Sequence, residues 1–142
     1  MKRDAGFTLI ELMIVVVIIG ILGAIAIPNF ISMQDRAREG STKANMHTFQ
    51  ISAEDYGVQS DGHYPSNGAQ VVVLLPGGNG NFKNSITNLT GDGVSWEDRI
   101  AYAAPARSIP GITSYSDSVN AAYNVKGHGK SSPIAIILTS GN

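Results

Sequence analysis

The chain has 142 residues, which suits one domain or one domain with an anchor. Its formal net charge is −1 and its pI is about 6.3, so there is no basic surplus to bind phosphates, and nucleic acid is not an expected partner. It contains no cysteine, which excludes disulfides, thiolate metal sites and a cysteine nucleophile.

A short charged peptide opens the chain, and a long apolar segment follows it. Residues 7–27 contain only two polar side chains, Thr8 and Glu11, and the segment matches the roughly 20 residues of a membrane-spanning helix. A secretory signal peptide has a shorter apolar core with small residues after it, whereas Ala5 and Gly6 stand before this segment. The pattern therefore predicts a transmembrane helix and not an ordinary signal peptide.

The charges around this segment bear on its orientation and on its purpose. Lys2 and Arg3 favour an amino terminus in the cytoplasm, with the rest of the chain across the membrane. Glu11 is the only charge within the apolar segment, and a carboxylate in lipid is costly unless it has a partner. A simple anchor does not explain Glu11, so its partner is expected to come from elsewhere.

The stretch GFTLIE at residues 6–11, the apolar run after it and then Pro28 together form a recognisable signature. They resemble the type IV pilins and the related pseudopilins of type II secretion. The likeness is closest to type IVa pilins, which have a short leader. It covers residues 1–30 closely, and beyond them it concerns architecture alone.

This resemblance assigns roles to the start of the chain. It implies that residues 1–6 are a leader, that a prepilin peptidase cuts between Gly6 and Phe7, and that Phe7 becomes N-methylated. It also implies that Glu11 pairs with the terminal amine of Phe7 in a neighbouring subunit during assembly. Gly20, Gly23 and Pro28 would then mark a region where the helix kinks or loses helicity in the filament.

Residues 7–28 and 29–57 are predicted to be the two halves of one helix, about 75 Å long at roughly 1.5 Å per residue. The apolar half is expected to protrude as the transmembrane and filament-core segment. The second half is amphipathic, and apolar residues at intervals of three and four predict one face that packs on a head: Met46, Phe49, Ala53 and Tyr56. Gly57 is the expected helix stop.

Residues 58–142 are predicted to form a globular head with variable loops. Residues 70–75, QVVVLL, fit a strand or a short helix, and their valines favour a strand. Five further segments are candidate strands: 85–89, 94–96, 100–103, 119–125 and 134–139. Several strands after one long helix predict the α+β class, with a small antiparallel sheet packed on the helix, which the resemblance identifies as a type IV pilin fold.

No catalytic arrangement is visible in the sequence, and we expect no enzymatic activity, no cofactor and no metal. Three histidines lack the spacing of metal ligands: His47, His63 and His128. A small acidic cluster is explained most simply by a solvated turn: Asp92, Glu97 and Asp98. Asn88-Leu89-Thr90 fits a glycosylation sequon, which is weak evidence in a chain rich in Ser, Thr and Asn.

The sequence therefore predicts a structural subunit of a type IV pilus. It would be made as a bacterial inner-membrane precursor with a cytoplasmic amino terminus and polymerised into an extracellular helical filament. The expected partners are other copies of the chain, minor pilins, the prepilin peptidase and the membrane. A platform protein is also expected, through which a cytoplasmic assembly ATPase acts.

Two alternatives stay open. The first is a pseudopilin of a type II secretion system, although the major pseudopilins tend to carry an acidic calcium-binding loop near the C-terminus, and Asp117 is the only acid after Asp98. The second is a single-pass membrane protein with a small binding head and no filament. For a pilus, adhesion, twitching motility, DNA uptake and electron transfer are all open tasks, and so are major and minor roles.

Overall fold

The computed structural model describes residues 6–78, 80–119 and 121–141. It contains two helices, α1 (Leu9–Gln59) and α2 (Gly68–Leu74), and four strands, β1 (Trp96–Asp98), β2 (Thr113–Ser118), β3 (Ala122–Gly127) and β4 (Leu138–Thr139). This confirms the α+β class, with one long amino-terminal helix and a small sheet. The chain divides into two compact units, Met1–Asp35 and Arg36–Asn142. The predicted leader lies outside the described residues except for Gly6.

The first unit contains the apolar part of α1. This is the one helix in the described part of the chain that is long and apolar enough to cross a membrane, and its most apolar window has no buried residue. Gly20, Gly23 and Pro28 all lie inside α1, which the structure assigns as helical from end to end. Loss of helicity at these residues in a filament therefore stays a prediction.

The second unit packs the later part of α1 against the sheet. Met46, Phe49 and Ala53 are buried as the helical spacing predicts, whereas Tyr56 is only half-buried. Phe49 lies at the centre of an aromatic cluster, with its ring 5.3 Å from that of Phe82 in an edge-on contact. The predicted core face of the helix is thus largely confirmed.

The helix ends two residues beyond the predicted stop at Gly57. The backbone N–H of Gly62 donates to the carbonyl of Gly57 at 2.9 Å, and Gly62 has a φ of 84°. A glycine in this left-handed region commonly closes a helix by bonding its last free carbonyls. Gly57 itself is buried beside the ring of Tyr64, and the chain leaves the helix through Asp61 and Gly62, which both have a positive φ.

The sheet has the order β1-β2-β3-β4 and is mixed, not wholly antiparallel. The β2–β3 and β3–β4 pairs are antiparallel, as expected, but β1 runs parallel to β2, with Trp96 opposite Thr113. A parallel pair needs a crossover of about a dozen residues or more. Residues 99–112 supply that connection. Residues 100–103, which were predicted to be a separate strand, lie in it and do not form a strand.

The prediction of a strand at residues 70–75 is wrong, because α2 occupies most of this segment. The Asn67 side chain accepts a hydrogen bond from the Gln70 N–H at 3.1 Å, and the Gln70 side chain accepts one from the Ser66 N–H at 2.8 Å. These reciprocal caps start a helix despite the valines. Val71 and Val72 then face the core, while Val73 is exposed.

The remaining strand predictions are partly correct. Residues 94–96 overlap β1, and residues 119–125 overlap β3. Of residues 134–139, only the last two form a strand, β4. Residues 85–89 form turns, because Asn84 bonds the backbone ahead of it and bends the chain. The sequence analysis missed β2, whose residues Thr113–Ser118 are mostly polar yet mostly buried.

Candidate assembly site at the start of the long helix

The first turn of α1 is closed by two reciprocal hydrogen-bonding residues, Thr8 and Glu11. The Glu11 Oε2 atom accepts from the Thr8 N–H at 2.8 Å and from the Thr8 hydroxyl at 2.6 Å. In return, the Glu11 N–H donates to Thr8 Oγ1 at 3.3 Å. This is a capping box, in which both side chains bond N–H groups that the helix leaves unpaired.

The bonds to Thr8 account for only part of the capacity of the Glu11 carboxylate. Among the described residues, no basic side chain forms an ion pair with it. A carboxylate can accept about four hydrogen bonds, so lone pairs remain on both oxygens for a cationic donor. The predicted partner, the amine that a cut before Phe7 would create, is a donor of this kind.

Gly6 and Phe7 precede the helix and are both exposed, with Phe7 at 77%. A Cβ atom at Gly6 would meet no other atom within 4 Å, so the backbone here is open to a protease. The structure places Gly6 and Phe7 just before α1, which begins at Leu9 and not at Phe7 as predicted, and Glu11 in its first turn. Cleavage and methylation at this site stay predictions.

The apolar side chains on both sides of Glu11 in the sequence are exposed all around the helix. Leu9, Ile10, Leu12 and Met13 are each more than half exposed. A shallow apolar groove of about 320 Å³ runs along one side and is lined by residues at helical spacing: Ile10, Met13, Ile14, Val17 and Ile18. An apolar surface of this extent requires lipid or another protein surface to cover it.

The three histidines lie in different surroundings, one on α1 and two in the head. His47 and His63 are exposed, while His128 is buried with its Nδ1 atom 2.8 Å from the carbonyl oxygen of Gly129. In the described part of the chain, no group of three His, Cys, Asp or Glu residues could hold a metal ion. Asn88 of the sequon is exposed and has a φ of 60°.

Of the acidic cluster that the sequence suggested to be a solvated turn, Asp92 and Asp98 are exposed, whereas Glu97 is buried. Glu97 is only 5% exposed. Its carboxylate accepts hydrogen bonds from the Arg107 N–H at 2.6 Å and from the Ser114 hydroxyl. Its Oε2 atom also lies 3.3 Å from Arg107 Nε, in an ion pair. Asp98 accepts from the Gly68 N–H at 3.1 Å. Burial raises the pKa of Asp98, and Asp117 and Asp92 add to this effect. Glu97 lies on the face of β1 opposite the core residue Trp96, and its bonds to Arg107 and Ser114 show that the β1–β2 connection and β2 cover it there.

Sequence analysis missed two sets of residues that the structure brings together. The first is Thr8, although the Thr-x-x-Glu spacing at residues 8–11 is a recognised capping signal. The second is a polar layer on the sheet face opposite α1, where Arg99 and Lys126 bind backbone carbonyls of the β1–β2 connection. No local motif marks the second set, because its members come from distant segments.

Known proteins are similar to this chain in its first part and, more weakly, along most of its length. A family model described as the prokaryotic N-terminal methylation motif matches residues 1–27. The type IV major pilin protein PilA of Myxococcus xanthus is 35% identical over 114 residues, which are 80% of this chain and 50% of that protein. No solved structure matches the chain significantly.

Two further relatives extend the comparison. The type II secretion system core protein G of Pseudomonas aeruginosa is 36% identical over 85 residues, 58% of this chain and 59% of that protein. The type IV narrow pilus major component PilA5 of Thermus thermophilus is 57% identical over 42 residues, 30% of this chain and 36% of that protein.

The chain spans 50% and 59% of the length of the first two relatives. These relatives are named as pilus and secretion-system components, in agreement with the expectation of a chain that is not an enzyme. The methylation motif at residues 1–27, the long apolar helix that begins at Leu9 and the small sheet agree with these similarities. The chain is thus similar to type IV pilins and to a core protein of type II secretion.

Proposed function

We propose that this protein is the structural subunit of a type IV pilus, cut after Gly6 and polymerised into a helical surface filament. The observation that carries the proposal is the apolar part of α1, which is exposed on every side and carries a single carboxylate at its start. A membrane covers such a helix before assembly, and copies of the same helix cover it in a filament core.

The charge of Glu11 supports this proposal because it has a use in a filament. A cut between Gly6 and Phe7 creates a terminal ammonium group, and that group on a neighbouring subunit complements the open lone pairs of Glu11. Breaking a buried ion pair is strongly destabilising, because one charge is left without compensation. The pair therefore sets the axial register of two subunits more than it adds net stability.

Assembly of this kind needs an external source of energy. Lipid tails and a bundle of apolar helices are both apolar environments, so transfer between them has little hydrophobic driving force. A platform protein in the inner membrane, coupled to a cytoplasmic ATPase, would supply the work of extraction. The precursor would lie in the membrane with Lys2 and Arg3 on the cytoplasmic side, and the head would reach the cell surface in the pilus.

The test is to change Glu11 to Val or Ala in the producing bacterium. Membrane insertion and leader cleavage should persist, because the apolar segment is preserved, while the amount of sheared surface filament should fall strongly. Leu12→Ala, a neighbouring truncation without a charge change, is the matched control and should retain filaments. Normal filament levels from the Glu11 variants would refute the proposed role of the carboxylate.

A pseudopilin of type II secretion is a second candidate, because the similarity to core protein G covers 58% of this chain. Electron microscopy of wild-type cells distinguishes the two, since a pilus gives long surface filaments and a pseudopilus does not extend far beyond the cell envelope. Mass spectrometry of the mature chain tests the non-polymerising anchor. A methylated Phe7 at the amino terminus would exclude an uncut anchor, whereas a retained MKRDAG would contradict our proposal.

A further inference from the structure

Pro28 interrupts the backbone hydrogen bonding of α1 inside the first unit of the chain. A proline has no N–H to donate, and its ring crowds the carbonyl of the residue four positions before it, which is Ala24 here. Lipid contains no water that could bond the carbonyls that this turn leaves short of donors. The turn around Pro28 therefore needs a further donor if α1 is to stay helical in a membrane.

The side chain of Asn29 supplies a donor of this kind. Its amide nitrogen donates to the Ile25 carbonyl at 3.1 Å, in the same turn of the helix as Pro28. Among residues 12–34, all of which the structure describes, no other side chain forms a hydrogen bond with the backbone. Side chains that bond the backbone groups freed by a proline are one reason why membrane helices tolerate that residue.

An asparagine is otherwise unfavourable at this place in the chain. Asn has a low helix propensity, and an amide in apolar surroundings costs free energy unless it is hydrogen-bonded. Asn29 is exposed, as is its neighbour Phe30, so packing within the unit does not account for the side chain. Within the described chain, the bond to the Ile25 carbonyl is the one hydrogen bond that this amide forms.

We propose that the Asn29 amide is a latch that keeps α1 helical across Pro28 while the chain lies in the membrane. When the latch opens, the Ile25 carbonyl loses a donor in a turn that already lacks one N–H, so the turn unwinds more readily. Unwinding of this kind is what Gly20, Gly23 and Pro28 are expected to undergo in a filament. The proposal rests on the proposed function and specifies it, because it names the contact that breaks when a subunit leaves the membrane for the filament.

Two substitutions of nearly equal shape test the latch. Thr and Val have similar helix propensities, but only the Thr hydroxyl can donate to the carbonyl four residues before it. Asn29→Val should therefore open the turn about threefold more often than Asn29→Thr, which is the size expected for a side-chain hydrogen bond in a membrane helix. Hydrogen exchange of the Ile27 and Ile31 amides, measured by NMR on the full chain in detergent micelles, reports this opening.

The same pair of substitutions in a Pro28→Ala background shows whether the latch acts on the break that the proline makes. With every backbone donor of the turn present, the Val and Thr variants should exchange these amides at equal rates. A threefold difference that persists without the proline would overturn the proposal, and so would equal rates for the two variants when Pro28 is present.

The yield of surface filaments gives a second readout. Asn29→Val should assemble at least as well as Asn29→Thr, because the latch has to open before the subunit enters a filament. A lower yield from Asn29→Val would overturn the proposal, since it would show that the hydrogen bond is needed in the filament itself. The exchange measurement requires no filament, so a wild-type chain that forms none refutes the proposed function while the test of the latch stays decisive.

Discussion

Glu11 bonds Thr8 through three separate hydrogen bonds, two from Thr8 to its carboxylate and one from its own N–H to the Thr8 hydroxyl. The carboxylate is therefore ordered before any second subunit arrives. It is held in a fixed position on the first turn of α1 and stays open to a cation on its other side. In the proposed assembly, the terminal amine of a neighbour would meet a preorganised acceptor and would not have to order it.

Thr8→Val tests this preorganisation, because it preserves the shape of the side chain and removes the hydroxyl. Two of the three bonds are lost, and losing a helix cap costs about 1 kcal/mol. If assembly depends on the ordered carboxylate, the ratio of filament to membrane-bound chain should fall about fivefold. Quantitative immunoblots of the sheared and membrane fractions measure this ratio.

Thr8→Ser is the matched control, because its hydroxyl can form the same capping box. It should retain a filament ratio close to that of the unmodified chain. A normal ratio for Thr8→Val would show that the amide bond to Glu11 is sufficient and that the hydroxyl has no part in assembly.

The start of the chain could be predicted well from its sequence, because its determinants are local. The apolar run that follows Glu11 and the single carboxylate within it stand next to each other in the sequence, and no distant contact alters them. The helical face of Met46, Phe49 and Ala53 could be predicted for a similar reason, since its spacing is a property of one element. Thr8 was overlooked although the same local signal identifies it.

The head could be predicted only in outline, because the local capping signal of α2 was overlooked and the strands depend on distant contacts. α2 is a helix because Asn67 and Gln70 cap it, and this capping outweighs the β-propensity of the valines. β2 has a polar sequence, yet its central Tyr115 lies between Phe49 and Tyr123 and its hydroxyl donates to the Pro65 carbonyl at 2.7 Å. Ser114 and Ser116 face the layer of Glu97 and Asn124, which no hydrophobic pattern reveals.

Asn84 organises the turns that follow it, and changing it to Asp should destabilise the head. Its amide nitrogen donates to the carbonyls of Val94 at 2.7 Å and Pro110 at 2.8 Å, while its oxygen accepts from the Ile86 and Thr87 N–H groups. Asp places an unpaired, charged oxygen against two carbonyls in a buried position. The free energy of unfolding should fall by about 3 kcal/mol or more.

Chemical denaturation of the detergent-solubilised chain, followed by tryptophan fluorescence, measures this loss. Asn88→Asp makes the same chemical change four residues later at an exposed side chain, and its effect should stay within about 0.5 kcal/mol. Equal effects of the two substitutions would contradict a special role for Asn84.

Lys126 is expected to control the order of residues 100–104 in the β1–β2 connection without controlling the fold. Lys126→Met retains the aliphatic stem but removes the ammonium that binds the carbonyls of Ala103 and Ala104. Amide hydrogen exchange should therefore become faster in residues 100–106, while β2 and β3 keep their protection. Lys83→Met, at an exposed position, is the control and should leave exchange in this loop unchanged. Faster exchange throughout the sheet would indicate instead that Lys126 supports the whole head.

Tyr123 links the sheet to α1, and it should limit the stability of the head at alkaline pH. Its hydroxyl donates to Glu54 Oε1 at 2.5 Å, and burial, followed by the bond and charge of Glu54, raises its pKa well above the ordinary value of 10.0. The folded state therefore favours the neutral phenol more than the unfolded state does. The resulting stability is fully present below pH 10 and declines as the pH rises beyond that value.

Tyr123→Phe should lower the stability of the head near neutral pH and weaken the dependence of its stability on pH at alkaline pH. Near neutral pH the variant loses a hydrogen bond to a charged group and should be less stable by about 1.5–3 kcal/mol. Above pH 10 the loss of stability with pH should be smaller than in the unmodified chain, because one buried phenol no longer ionises on unfolding. Denaturation curves over this pH range, with Tyr102→Phe as a control at a partly exposed phenol, measure both effects. An unchanged slope above pH 10 would show that Tyr123 ionises without unfolding the head.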